Sequence, residues 1–158
     1  MKPAMRTLTA GLLAALCCAR LSAADLTLVA NGKPGAAIIT AAEPHALRAA
    51  AAIRKYIEKM SGAHLPIIKE DEAPRLPVSI FVGHTAAARR FGVKIPAGFN
   101  PAIRPEVFEE EGFVIKTKGA NLFIGGNSDG PYQGTIYGAY EFLERLGCRW
   151  YSRASGAR

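Results

Sequence analysis

The chain has 158 residues, 49% of them hydrophobic and 21% charged, with 20 Lys and Arg against 13 Asp and Glu for a net charge of +7. That length accommodates one ordinary domain with a core of its own, and the balance of apolar and charged residues excludes an intrinsically disordered chain. The basic excess is thinly spread, the only adjacent basic pairs after the first 24 residues being Arg54-Lys55 and Arg89-Arg90, so the clustered basic face that nucleic-acid binding requires is missing.

The first 24 residues read as a secretory signal peptide. Lys2 and Arg6 precede an apolar run from Leu8 to Ala19, and Ser22-Ala23-Ala24 offers small residues for cleavage before Asp25. The run breaks at Arg20, short of the roughly 20 apolar residues a membrane span needs. The expected mature protein is therefore exported, periplasmic or extracellular, with no membrane segment left after cleavage. Losing Lys2, Arg6 and Arg20 leaves 17 basic against 13 acidic residues, a net charge of +4. Losing Cys17 and Cys18 leaves Cys148 alone, which can form neither an internal disulfide nor a cysteine-rich zinc site. Beside an apolar helix end, Cys148 reads as a small packed hydrophobe.

Leu26 to Ala30 alternates as a strand does, Asn31-Gly32 is a turn signal, and Ala36-Ala37-Ile38-Ile39 follows as the returning strand of an opening hairpin. Pro44 suits the first position of a helix. Ile53, Tyr56, Ile57 and Met60 then recur at helical spacing until Ser61-Gly62 ends it. Leu65 to Ile68 and Val78 to Gly83 are two further strands, separated by the charged stretch Lys69 to Pro77. Thr85 caps a short helix reaching Phe91, and Gly92 to Glu110, with Pro96, Pro101 and Pro105, reads as a long irregular excursion. Gly112 to Thr117 and Leu122 to Gly125 make a hairpin around Lys118-Gly119-Ala120-Asn121. A second long helix is expected to start at Pro131, capped by Asp129, and to carry Ile136, Tyr140, Leu143 and Leu146 before Gly147 stops it. These elements predict an α/β (α+β) fold: a mixed sheet of about six strands with two long helices packed on one face.

The chemically suggestive motifs have structural readings. Gly125 to Gly130 meets the spacing of a phosphate loop, but Pro131-Tyr132 stands where a Lys-Ser/Thr pair would grip phosphate and metal, so the loop reads as a strand-to-helix connection. Glu109-Glu110-Glu111 alternates in direction on entering a strand and is not the opposed pair of carboxylates that cleaves a glycosidic bond. Glu141 and Glu144 read as helix-surface groups beside Arg145. His45, His64 and His84 match no metal-ligand spacing, and no G-x-S-x-G elbow is present. No catalytic, cofactor-binding or metal residue is assigned. The late aromatics Tyr132, Tyr137, Tyr140, Phe142, Trp150 and Tyr151 read as core or domain-interface packing, with a sugar-stacking platform as the rival.

The segment Gly134-Thr135-Ile136-Tyr137-Gly138-Ala139-Tyr140-Glu141-Phe142-Leu143-Glu144-Arg145-Leu146-Gly147-Cys148-Arg149-Trp150-Tyr151 resembles the end of the N-terminal domain that precedes the barrel in α-glucuronidases, bacterial β-hexosaminidases and related glycoside hydrolases. The helix ending Lys-Met-Ser-Gly, Glu-Gly-Phe-Val-Ile and Leu-Phe-Ile-Gly-Gly extend the resemblance to about Leu26–Tyr151. It implies a non-catalytic accessory domain (25–151) followed by a truncated tail (152–158), with a (β/α)₈ catalytic barrel as the missing partner and polysaccharide breakdown as the setting. It also implies an interface around Tyr137, Trp150 and Tyr151. Gln133 departs from the Arg that often precedes Gly-Thr in relatives, and Ser152 to Arg158 lacks their Pro-Gly lead-in to the barrel. The alternative is a free-standing exported carbohydrate-binding module.

Overall fold

The computed structural model describes residues 25–72, 77–98 and 111–150. The expected signal peptide (1–24), residues 99–110 of the expected long excursion, Tyr151 and the tail at 152–158 lie outside them. At the start of the described chain, β1 (Val29–Ala30) and β2 (Lys33–Pro34) pair antiparallel across Asn31-Gly32. Both turn residues have positive φ, 51° and 71°, as a tight two-residue hairpin demands.

That turn returns the chain at once onto Lys33-Pro34, so Ala36 to Ile39 is not the returning strand of the hairpin. Ala36–Thr40 instead forms β3, an interior strand of a separate five-stranded sheet whose order is β4 (Ile67–Lys69), β3, β5 (Val78–Val82), β7 (Asn121–Gly126), β6 (Phe113–Lys118). All five of its residues are buried, and a run apolar on both faces belongs in a parallel sheet covered on both sides. β3 pairs in parallel with β4 and β5, and β5 pairs in parallel with β7. β6 closes the edge antiparallel to β7, in the hairpin expected around Gly119-Ala120. The fold is thus a mixed α/β arrangement, with five strands in one sheet and the opening pair apart from it.

Alternation along the strands assigns the two faces. Ile38, Ile80, Val82, Leu122 and Ile124 point to a layer made by α1 (Pro44–Ser61) and α3 (Gly134–Arg145). Helix α1 begins on Pro44 and ends where Gly62, at φ 73°, donates its N–H to the Glu58 carbonyl at 2.8 Å. Its buried Ala46, Ala49 and Ala50 bring the helix axis close to the sheet, and Ile53 and Ile57 fill the widening space below. Each fully buried isoleucine contributes on the order of 1.5–3 kcal/mol. Phe81 and Phe123 point the other way, stacked with ring centroids 5.1 Å apart, and pack with Val93 and the short α2 (Ala86–Arg90).

Helix α3 starts at Gly134, three residues later than the local signals at Asp129 and Pro131 suggest. Its N-cap position is Gln133, with no side-chain cap, while Asp129 Oδ2 accepts from the Gly98 N–H at 2.6 Å. Tertiary packing decides this. A Cβ on Gly126 would overlap the Gly134 carbonyl carbon and sit 2.7 Å from Thr135 N; one on Gly134 would sit 2.6 Å from Gly112 O. The helix can begin only where its backbone lies against the end of β7. There the Gly126 N–H donates to Thr135 Oγ1 (3.0 Å), and the Thr135 hydroxyl donates to Gly126 O (2.9 Å). Ser128 Oγ, 2.8 Å away, is placed to donate to the remaining lone pair of Thr135.

Two substitutions test this junction by urea unfolding. Gly126→Ala is expected to cost about 3 kcal/mol or more, because backbone atoms must move apart. Thr135→Val keeps the shape, strands a buried N–H, and is expected to cost about 1–3 kcal/mol.

Candidate functional site

The carboxyl ends of the four parallel strands lie along one edge of the sheet, and the polar side chains of the first half converge there. After β5 the chain passes Gly83 to His84. The His84 backbone N–H donates to Glu43 Oε1 at 3.1 Å, and the absence of a Cβ on Gly83 leaves room for that carboxylate. The His84 ring is held through Nε2, 3.2 Å from the Gly126 carbonyl. A carbonyl can only accept, so in the neutral ring the proton sits on Nε2 and Nδ1 carries a lone pair.

Helix α2 follows directly, and its first-turn amides are all claimed. Thr85 Oγ1 accepts from Ala88 N at 3.1 Å, as the sequence predicts for a cap. Glu70, from the single 3₁₀ turn Glu70–Glu72 after β4, accepts from Ala86 N (Oε2, 2.7 Å) and Ala87 N (Oε1, 2.6 Å). Its charge is thereby set against the positive end of the short helix. Sequence reasoning missed Glu70 and Glu43 because their partners lie 16 and 41 residues away, and no local pattern marks such a contact. Beside them an open cleft of about 740 Å³ is lined by Thr40, Lys69, Asp71, His84 and Arg90, among others.

The aromatic residues divide between interior and surface. Tyr132 and Phe142 are buried, whereas Tyr137, Tyr140 and Trp150 are 46%, 37% and 39% exposed. Trp150 packs edge-on against Tyr56 of α1 and Tyr140 of α3, at centroid distances of 4.7 and 5.1 Å. Lys55 and Lys59 hold their ammonium groups 5.8 and 5.5 Å from the Tyr56 ring. Tyr137 lies one helical turn before Tyr140. Exposed Met60 and Leu146 extend the apolar surface at the same end of the helices, where Cys148, half-buried, directs its thiol at the Met60 sulfur 3.5 Å away. Tyr151 lies outside the described residues.

The three histidines are not brought together. His45 sits in the first turn of α1 with Nδ1 buried and unpartnered, and His64 Nδ1 is 3.2 Å from the exposed Glu58 carboxylate. Among the described residues, no group of three or more His, Cys, Asp or Glu is placed to hold a metal. Glu111 accepts from the Gln133 backbone N–H at 2.9 Å, linking the β6 approach to the α3 start. Glu141 pairs with Arg145 at 2.8 Å, one turn apart on the surface of α3. No helix among the described residues is long and apolar enough to cross a membrane. In comparisons with known proteins, the sequence matches no family model and no curated protein.

Replacing Glu70 with Ala is expected to lower the unfolding free energy by about 1.5–3 kcal/mol, the cost of two charge-assisted hydrogen bonds at a half-buried helix start. Urea unfolding measures it, and a loss below about 0.5 kcal/mol would show that water replaces the carboxylate at no cost.

Proposed function

We propose that the chain is a non-catalytic accessory domain of a secreted glycoside hydrolase of the α-glucuronidase or β-hexosaminidase type, docking on a (β/α)₈ catalytic barrel. The observation that carries this reading is the exposed pair Tyr140 and Trp150, with Tyr137 exposed one turn earlier on α3. Large rings bury much area at little entropic cost, and aromatic residues are the side chains most enriched at the centres of protein interfaces. The resemblance of Gly134–Tyr151 to the barrel-proximal end of those accessory domains supplies the partner.

The rival reading, a free-standing carbohydrate-binding module, needs a flat aromatic platform for a sugar ring. Tyr56 and Tyr140 each meet Trp150 at 83°, so the three rings do not share a plane. The geometry favours a knob that fits a recess in another protein.

The test mixes the mature chain with isolated barrels of an α-glucuronidase and a β-hexosaminidase, with the coding DNA beyond codon 158 read in parallel. Association with one barrel is expected, and Tyr137→Ser with Trp150→Ser should weaken it at least tenfold, as loss of an interface hot spot does. The same double variant should keep the parent's amide spectrum while unfolding about 1–3 kcal/mol more easily, since Trp150 gives up its edge contacts with Tyr56 and Tyr140. No association with either barrel, or association indifferent to both substitutions, would remove the proposal.

A further inference from the structure

The cleft at the carboxyl edge of the sheet stands apart from the aromatic surface. Helix α1 starts at this edge and runs back along the sheet, so that Tyr56 and Met60, with Trp150 and Cys148 beside them, lie at the opposite end. Between β3 and β5 the chain parts in two directions. Ala41 to Glu43 leads from β3 into α1 on one face, and His84-Thr85 leads from β5 into α2 on the other. Such a divergence opens a crevice beyond the strand ends, and in open α/β sheets ligands bind in that crevice.

The groups around the crevice are of two kinds. Lys69, at the end of β4, and Arg90, on α2, are cations that meet no ion-pair partner among the described residues. Three further groups accept hydrogen bonds. Asp71 presents a carboxylate, and His84 presents Nδ1 because Nε2 is committed to Gly126 O. Thr40, 2% exposed, has a hydroxyl with no partner among the described residues, although buried hydroxyls are as a rule hydrogen-bonded. Glu70 keeps its charge, but both its oxygens are occupied by α2 amides, so Lys69 and Arg90 are the cations left to meet a ligand's anionic group. Those amides are themselves occupied, so the start of α2 is not the anion site.

We propose that this cleft binds a small polyhydroxylated anion, a sugar acid or a sugar phosphate. Lys69 and Arg90 take the anionic group, while Asp71 and His84 accept hydrogen bonds from its hydroxyls. The open cleft, about 740 Å³, has room for a ligand of that size.

The experiment uses the mature chain, with gluconate, glucose 6-phosphate and neutral glucose as probes, read by amide chemical shifts and calorimetry. At least one anion is expected to bind at millimolar concentration or tighter. Its shifts should centre on Asp71, His84 and Arg90, and glucose should bind at least tenfold more weakly. Gluconate without glucose 6-phosphate assigns a carboxylate site, and the reverse assigns a phosphate site. The Lys69→Ala, Arg90→Ala double variant changes two exposed side chains, so it should keep the parent amide spectrum and lose at least tenfold in affinity. Binding of neither anion, equal binding of glucose, or an unaffected double variant would overturn the proposal. None of these outcomes bears on barrel docking, which is read through Tyr137 and Trp150, and neither of these lines the cleft.

Discussion

The structure hinges on the place where β7 meets the start of α3. Two backbones there approach more closely than any side chain permits, with Gly126 on one and Gly134 on the other. The polar groups so enclosed are met by one hydroxyl, that of Thr135, which both accepts from and donates to Gly126. The same short stretch reaches further. Gly126 O also holds the His84 ring, Asn127 N bonds Gly112 O at the approach to β6, and Gly134 N bonds Asn127 O. Both halves of the chain are thus referenced to a few atoms. Without that approach α3 could not lie beside α1, and Ile136, Phe142 and Leu143 would have no sheet to cover.

How much of this was legible beforehand depended on the distance between cause and effect along the chain. Helix α1, with Pro44 at its start and Gly62 past its end, is written in neighbouring residues, as are the Thr85 cap and the hairpin around Gly119. The Asn31-Gly32 turn was equally plain, but the strand that answers it is Lys33-Pro34, and the apolar run at Ala36 marks a buried parallel strand whose partners lie far off. Asp129 and Pro131 look like a helix start by every local rule, and the close packing of Gly126 on Gly134 overrides them. The polar edge was not legible at all, because Glu43 and Glu70 act on amides in another part of the chain. Of the residues at which the resemblance implies an interface, Tyr137 and Trp150 are partly in water.

The molecule consequently has two ends of different character. At the carboxyl ends of the parallel strands are polar groups, many of them already committed to backbone amides. At the far ends of α1 and α3 are rings and thioether carbon: Tyr56, Tyr140, Trp150 and Met60. A single helix layer connects the two, and its alanine-rich first half keeps α1 tight against the sheet near the polar end. The larger side chains sit where the surface turns apolar.

The parallel pairing at the centre of the sheet has a kinetic consequence. β3 meets β5, and β5 meets β7, each across roughly 40 residues of intervening chain, whereas the β6–β7 hairpin and α1 need only their neighbours. This topology predicts that local pieces form early and that the middle of the sheet closes late, when the segments on both sides of β5 are present together. Until then Ile38, Ile80 and Phe123 face water, so the interval before closure is the one in which the chain is most exposed to self-association.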